Sequence, residues 1–349
     1  MQKKKLKYLG IIIFVLIIVW ANFGWDNYKK TILNLIAINI ILGLGLNLIN
    51  GFTGQLSLGH AGFMAIGAYT SAILTMSPET KKMNFYMVPM LPELVDIQWP
   101  FLPTLILAGI LSAVVGFLIG APVLRLRGDY LAIATLGFAE IIRIIITNIK
   151  PITNGALGLK GLPPYTNLWW SWGIAVLTII FMYRLVNSSY GRALKSIRED
   201  EIAAQAMGIS LFKHKMFAFV VGSFMAGVGG ALHANLLQTV DPSMYRFSLT
   251  YQVLMIVVLG GMGSISGTII SASIVTVLME ALRIVESPLD LGFITIPGIS
   301  GMRMVVFSIL LMIVILFYQQ GLMGSNELSW EFVADKFRRL KSRRKGEFK

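Results

Sequence analysis

Along most of this chain the apolar positions gather into blocks near the length, about 20 residues, that a helix needs to cross a hydrocarbon core about 30 Å thick. Short polar stretches separate them. The apolar residues do not alternate with polar ones, so the period-2 pattern of a membrane barrel is absent. Inside hydrocarbon each backbone amide must bond within its own segment, which predicts helices. The blocks fall at 6–25, 32–50, 55–76, 101–123, 129–149, 168–187, 215–237, 248–261, 267–285 and 302–320. The eighth is too short for a full crossing, and the glycine-rich run 260–267 separates it from the ninth. The expected fold is all-α: a polytopic integral membrane protein with about ten transmembrane segments, some broken or re-entrant, in related halves.

Composition agrees. Of 349 residues, 56% are hydrophobic and only 13% charged, with a mean hydropathy of +0.73. Soluble domains average about 25% charged residues, which excludes a globule in water. The start, MQKKKLKY followed by LGIIIFVLIIVW, has the basic and apolar regions of a signal peptide. No small-x-small cleavage site follows, so it reads as an uncleaved first span. Cysteine is absent, which removes disulfides and thiolate metal sites.

The charge distribution sets the expected topology. With ten spans both termini share a side, and 20 of the 30 Lys and Arg residues lie on it. They include Lys3, Lys4, Lys5 and Lys7, the island Arg192–Lys215, and eight residues of the tail. The positive-inside rule makes that side cytoplasmic; nine spans would put the basic tail outside. The net charge of +13 then reads as anchoring against anionic lipid rather than nucleic-acid binding. Trp20, Trp25, Trp99, Trp169, Trp170 and Trp172 fall at predicted span ends, where interfacial anchoring accounts for them.

Chemistry is largely excluded. No GxxxxGK[ST] phosphate loop occurs, so this chain does not hold ATP in that way. His60, His214 and His233 lie on separate elements, which removes a helical HExxH zinc site. No paired acidic cluster sits at a span edge to hold magnesium. No catalytic residue, metal ligand or cofactor is assigned.

Three features remain. The first is a charged island at 188–215, SSYGRALKSIREDEIAAQAMGISLFKHK, one solvated helix-forming segment between two spans. Such a segment is placed to touch something in water. The second is a pair of intramembrane charge couples, Glu140/Arg143 and Glu280/Arg283, each at i,i+3 and so on one helix face. They read either as a polar lining of a substrate path or as interfacial pairs that neutralise themselves. The third is a pair of glycine-broken regions in corresponding halves. One runs from Gly43 through Asn47, Asn50, Gly51, Gly54, Gln55, Ser57 and His60 to Gly62, and the other from Val258 through Gly260, Gly263 and Ser264 to Gly267. In transporters built from repeats, broken helices line the central path; close packing through small residues is the other reading, and Gly222, Gly227, Gly229 and Gly230 fit it.

These residues carry a resemblance. The run 47–69, NLINGFTGQLSLGHAGFMAIGAY, is similar to the signature of branched-chain amino acid ABC transporter permeases. So are 127–143, RGDYLAIATLGFAEIIR, the TNGALGL that follows at 153–159, the loop 191–208 and the run 260–267. Together they resemble the LivM-type subunit over about residues 40 to 320. The resemblance implies a permease domain at 31–325, after an N-terminal region 1–30 and before a basic tail 326–349, in a bacterial or archaeal cell membrane. It implies a LivH-like sister permease, two cytoplasmic ATPases that bind the ATP, and an extracytoplasmic binding protein delivering leucine, isoleucine or valine. The island becomes the coupling helix, with Arg198, Glu199, Asp200, Glu201, Ala203, Ala204 and Gly208 facing an ATPase. Importer loops carry EAA-x-x-x-Gly; here Ile202 precedes Ala203, with Glu201 one step earlier, which puts the acidic contact in doubt. Asn47, Gly51, Gly54, Gln55, Ser57, His60, Gly260, Gly263 and Ser264 become pathway or gate residues. Related permeases for urea, short amides or sugars, an ion-coupled secondary transporter using Glu140 and Glu280, and a passive channel are the alternatives.

Overall fold

A computed structural model describes residues 22, 24–126, 128–286, 289–290, 295–296, 301–317, 321–324 and 327. The predicted first span and nearly all of the basic tail lie outside the described residues, as does Arg127. Eleven helices matter for function. They are α1 (Asn27–Asn47), α2 (His60–Thr75), α3 (Phe101–Val123), α4 (Asp129–Asn148), α5 (Leu168–Val186), α6 (Ser189–Glu199), α7 (Glu201–Ala206), α8 (Leu211–Leu237), α9 (Phe247–Gly260), α10 (Ile265–Ala281) and α11 (Met302–Phe317). A π-helical turn, Leu48–Phe52, extends α1. Five of them (α1 with its π turn, α3, α4, α5 and α8) are long and apolar enough to cross a membrane. The all-α, polytopic reading holds, with two small exceptions. Leu159–Lys160 pairs antiparallel with Thr239–Val240, and Leu289–Asp290 with Thr295–Ile296. In the loops that carry them, two-residue ladders satisfy backbone groups that no helix takes up.

The 27-residue α8 is the spine, packed against α1, α2 and α3. Small residues permit this. A Cβ on Gly67 of α2 would overlap the Gly227 carbonyl of α8, and one on Gly230 would overlap the Met64 carbonyl. Gly222 meets Gly45 of α1 in the same way, so backbones approach without side chains between them. The close-packing reading of the α8 glycines is what the fold shows. α10 and α9 pack on α1, and α5 also lies along α1.

α4 differs from the spine. Its buried positions, Leu131, Ala132, Thr135, Ala139, Ile142 and Ile146, repeat at three- and four-residue spacing and form one stripe toward α2. The opposite face, including Tyr130, Ile133 and Ile144, is exposed.

One predicted boundary is corrected. The span expected at 55–76 begins as a helix only at His60; residues 53–59 are non-helical. Side chains and a tertiary contact take over the ladder there. Asn50 Oδ1 accepts from Ser57 N at 3.1 Å, and Leu58 N donates to Thr135 Oγ1 on α4 at 2.9 Å. In the short helix Pro78–Asn84, Lys81 is buried, with Nζ donating to the carbonyls of Leu94 at 2.8 Å and Ile97 at 2.5 Å. Desolvation lowers its pKa, partly opposed by Asp96.

Candidate functional site: the junction of two helix breaks and the charged island

The two glycine breaks, far apart in sequence, meet. α1 runs into the first break and α2 runs back; α9 runs into the second and α10 returns. Asn47, at the last turn of α1, is fully buried and holds the second break. Its Nδ2 donates to the Ser264 carbonyl at 2.9 Å and to Thr268 Oγ1 at 2.8 Å, while its Oδ1 accepts from Gly263 N at 2.9 Å. The turn itself needs glycine: Gly261 and Gly263 have φ of 104° and 87°, a region that L side chains avoid. Ser264 then caps α10, its Oγ accepting from Gly267 N at 3.0 Å. Gly260 and Gly267 touch backbone to backbone across this turn.

A carboxylate that no sequence pattern marked also sits here. Glu327 accepts from Ile265 N at 2.7 Å, Ser266 N at 3.0 Å and Ser266 Oγ at 2.6 Å. It supplies negative charge at the N-terminus of α10, where the helix dipole favours it. Leu322 N donates to the Leu259 carbonyl at 2.7 Å, so the chain beyond α11 lies against the second break.

The island reaches the same place. Ser188 caps α6, whose buried Gly191, Leu194 and Ile197 face the bundle. Asp200 caps α7, accepting from Ile202 N at 2.8 Å and Ala203 N at 3.0 Å. Between the two helices Arg198 turns inward. Its Nη1 donates to the Gly51 carbonyl of the first break at 3.2 Å, and its Nε and Nη2 bond Glu199 Oε1 at 3.0 and 2.5 Å. A Cβ on Gly263 would stand 2.6 Å from that same Nη1, and one on Gly54 would stand 3.0 Å from Arg198 Cγ. One guanidinium therefore touches both breaks, and Lys195 lies over the Phe52 ring at 5.9 Å.

The predicted island residues divide by role. Asp200 is a helix cap. Glu201 pairs with Lys215 at 2.5 Å. Ala204 is buried against the bundle, while Ala203, Gln205, Ala206 and Gly208 are exposed. Ile202 and Met207 stand 78% and 82% exposed, the most outward apolar side chains in the described residues. Sequence reasoning passed over them, because Ile202 counted there only as a departure from a pattern. An exposed apolar pair on a charged loop was the available signal.

Among the predicted pathway residues, Asn47, Gly51, Gly54, Gly260, Gly263 and Ser264 belong to this junction. Ser57 is buried and bonded to Asn50 through its backbone. Gln55 and His60 are buried, and both amide atoms of Gln55 and Nε2 of His60 lack a hydrogen-bond partner among the described residues. The charge couples do not join the junction. Glu280 lies at the far end of α10, accepting from Tyr28 OH at 2.6 Å and Arg283 Nη1 at 3.2 Å. Glu140 and Arg143 pair on the exposed face of α4, with Nε donating to both carboxylate oxygens at 3.0 Å. Among the described residues no group of three or more potential metal ligands gathers.

A bundle of apolar helices, with two helix returns laced together at one end beneath a charged surface loop, defines a polytopic membrane protein. The comparisons specify the class. A family model described as branched-chain amino acid transport system / permease component matches residues 28–318, and the chain belongs to that family. It is 36% identical over 313 residues to the high-affinity branched-chain amino acid transport system permease protein LivM of Escherichia coli K12, covering 80% of this chain and 69% of that one. A probable LivM permease of Methanocaldococcus jannaschii is 29% identical over 50% of this chain and 56% of its own. The ribose import permease RbsC of Haemophilus influenzae is 23% identical over 80% and 85%. No solved structure matches the chain.

Proposed function

We propose that this chain is the LivM-type membrane subunit of an ATP-driven importer of leucine, isoleucine and valine. In this reading it crosses the membrane about ten times, counting the segment 6–25, with the island and both termini in the cytoplasm. A sister permease completes the path, an extracytoplasmic binding protein delivers the amino acid, and two ATPases dock on the island. Ile202 and Met207 are the apolar anchors for an ATPase, the kind of exposed patch that marks a protein contact.

The observation that carries this reading is the reach of Arg198. A loop that moves with an ATPase pulls directly on the Gly51 carbonyl and presses on Gly263, because the guanidinium touches both. Packed elements switch between discrete arrangements rather than stretching, so such a strut transmits a step. The Gln55 amide and His60 Nε2, without partners among the described residues, support a gate here. A buried polar group without a partner costs about 1–3 kcal/mol, and a passing polar solute or water relieves that cost in an open state.

Affinity purification of the tagged chain from membranes, with leucine uptake in the same vesicles, tests the reading. ATPase subunits are expected to co-purify, and to be lost on Ile202→Asp with Met207→Asp while the sister permease stays. Uptake is expected to require ATP and to be competed by isoleucine and valine but not urea. Uptake driven by an ion gradient, with no ATPase attached, overturns it.

A further inference from the structure

Glu140 lies about 17 Å along α4 from its start and about 12 Å from its end, near the middle of a helix long and apolar enough to cross a membrane. Its side chain is nonetheless 47% exposed, and that of Arg143 is 23% exposed. Facing lipid, a charged side chain at that depth costs about 2.5–3.5 kcal/mol even on the lenient insertion scale. The i,i+3 pairing reduces the cost without removing it.

A third charge stands beside them. α9 has 14 residues and is about 20 Å long, some 10 Å short of a full crossing. Arg246, the residue before that turn, is exposed and makes no ion pair among the described residues. The turn Pro242–Tyr245 and α9 itself pack against α4, which sets Arg246 beside that helix. Phe247 and Tyr251, also exposed, stack on the same turn with ring centroids 6.2 Å apart. The α4 face above and below the pair is apolar or open: Ile133 and Ile141 are exposed, and a Cβ on Gly137 would meet nothing within 4 Å.

We infer that this face, built from Glu140, Arg143, Arg246, Phe247 and Tyr251, is a wall of the solute path with a subsite for the zwitterion of an aliphatic amino acid. Two guanidinium groups and one carboxylate leave one positive charge over, which the solute carboxylate neutralises at Arg246. The carboxylate of Glu140 faces the ammonium group, and the aromatic pair and Ile141 take the aliphatic side chain. Water and the second permease subunit, rather than lipid, lie opposite. This subsite rests on the importer reading above.

The chain has no cysteine, so single cysteines report cleanly. Gly137→Cys, or Ile133→Cys should the first fail to insert, is compared with Leu177→Cys, exposed at mid-helix on α5. The assembled transporter is used in membrane vesicles with a cationic methanethiosulfonate reagent. The α4 cysteine is expected to react at least about tenfold faster than Cys at 177, since a charged reagent does not enter lipid. Leucine in the presence of ATP and binding protein is expected to slow it. Adding Arg246→Gln to the α4 cysteine variant is expected to raise the leucine needed for that protection about tenfold, the loss of one charge-assisted contact. Equal reactivity of the two cysteines, or protection unchanged by leucine or by Arg246→Gln, overturns the subsite. ATP-dependent leucine uptake by the unmodified transporter is measured in parallel; its absence sinks the importer reading instead.

Discussion

At the island end of the bundle, one buried amide joins two helix returns and one arginine ties both to a surface loop. Halfway along α4, by contrast, a carboxylate and its paired guanidinium stand partly exposed on the outer face of the described residues. The junction is polar, dense and internally satisfied except at Gln55 and His60. The α4 face is polar and open. Both hold charge or amide groups in a membrane setting where those are costly, but they meet the cost differently: the junction by bonding to itself, the α4 face by relying on what lies opposite. The first arrangement suits a part that must hold shape and move as a unit. The second suits a part whose partner changes.

Breaking the junction at its centre has the largest expected effect. Asn47→Leu removes three bonds and leaves Gly263 N and Thr268 Oγ1 buried without that partner. It should lower stability by about 3 kcal/mol or more, read as a fall in the melting temperature of the purified complex. An unchanged melt would mean the two breaks hold each other by shape alone. Arg198→Ala comes next. Its side chain is partly exposed, so the melt should barely move, but leucine imported per ATP hydrolysed should fall about fivefold or more, the scale of a coupling energy between sites. Arg198→Lys should not restore it, because an ammonium cannot present the planar fork that reaches Gly51 and Glu199 together. Full coupling in either variant would remove the strut.

Smaller effects sharpen the contrast. Glu327→Gln takes the charge from the α10 N-terminus and turns one accepting oxygen into an NH2 that cannot accept, and should cost about 1–3 kcal/mol in the same melt. A larger loss would make this carboxylate part of the fold's core rather than a tether. Ile133→Ser on the outer face of α4 should change the stability of the isolated chain by less than about 0.5 kcal/mol, since that side chain is 65% exposed. A clear drop there would show that α4 is covered from within, and the distinction between the two regions would collapse.

Much of this was legible without coordinates. Block lengths announced the membrane helices, glycine runs marked where α1 and α9 stop, and charge density picked out the island. These are local properties, set by composition and spacing over a few turns. The extended stretch before His60 was missed because its apolar residues continue the helical pattern, while its backbone bonds go to Asn50 and to Thr135 on another helix. Ile202 and Met207 were missed because exposure is not a property of a residue but of what surrounds it.

The chain's own order of residues determined that it is helical, where its helices break, and that 188–215 concentrates charge, because hydrophobicity and glycine act over short range. Only the folded arrangement decided that Asn47 meets Gly263, 216 residues away, and that Arg198 reaches both breaks. Likewise Glu280 and Glu140 have the same i,i+3 arginine, yet one ends up at a helix end beside Tyr28 and the other in the open middle of α4. Periodicity assigns a side chain to a face; which face meets which is settled by the packing of the whole bundle.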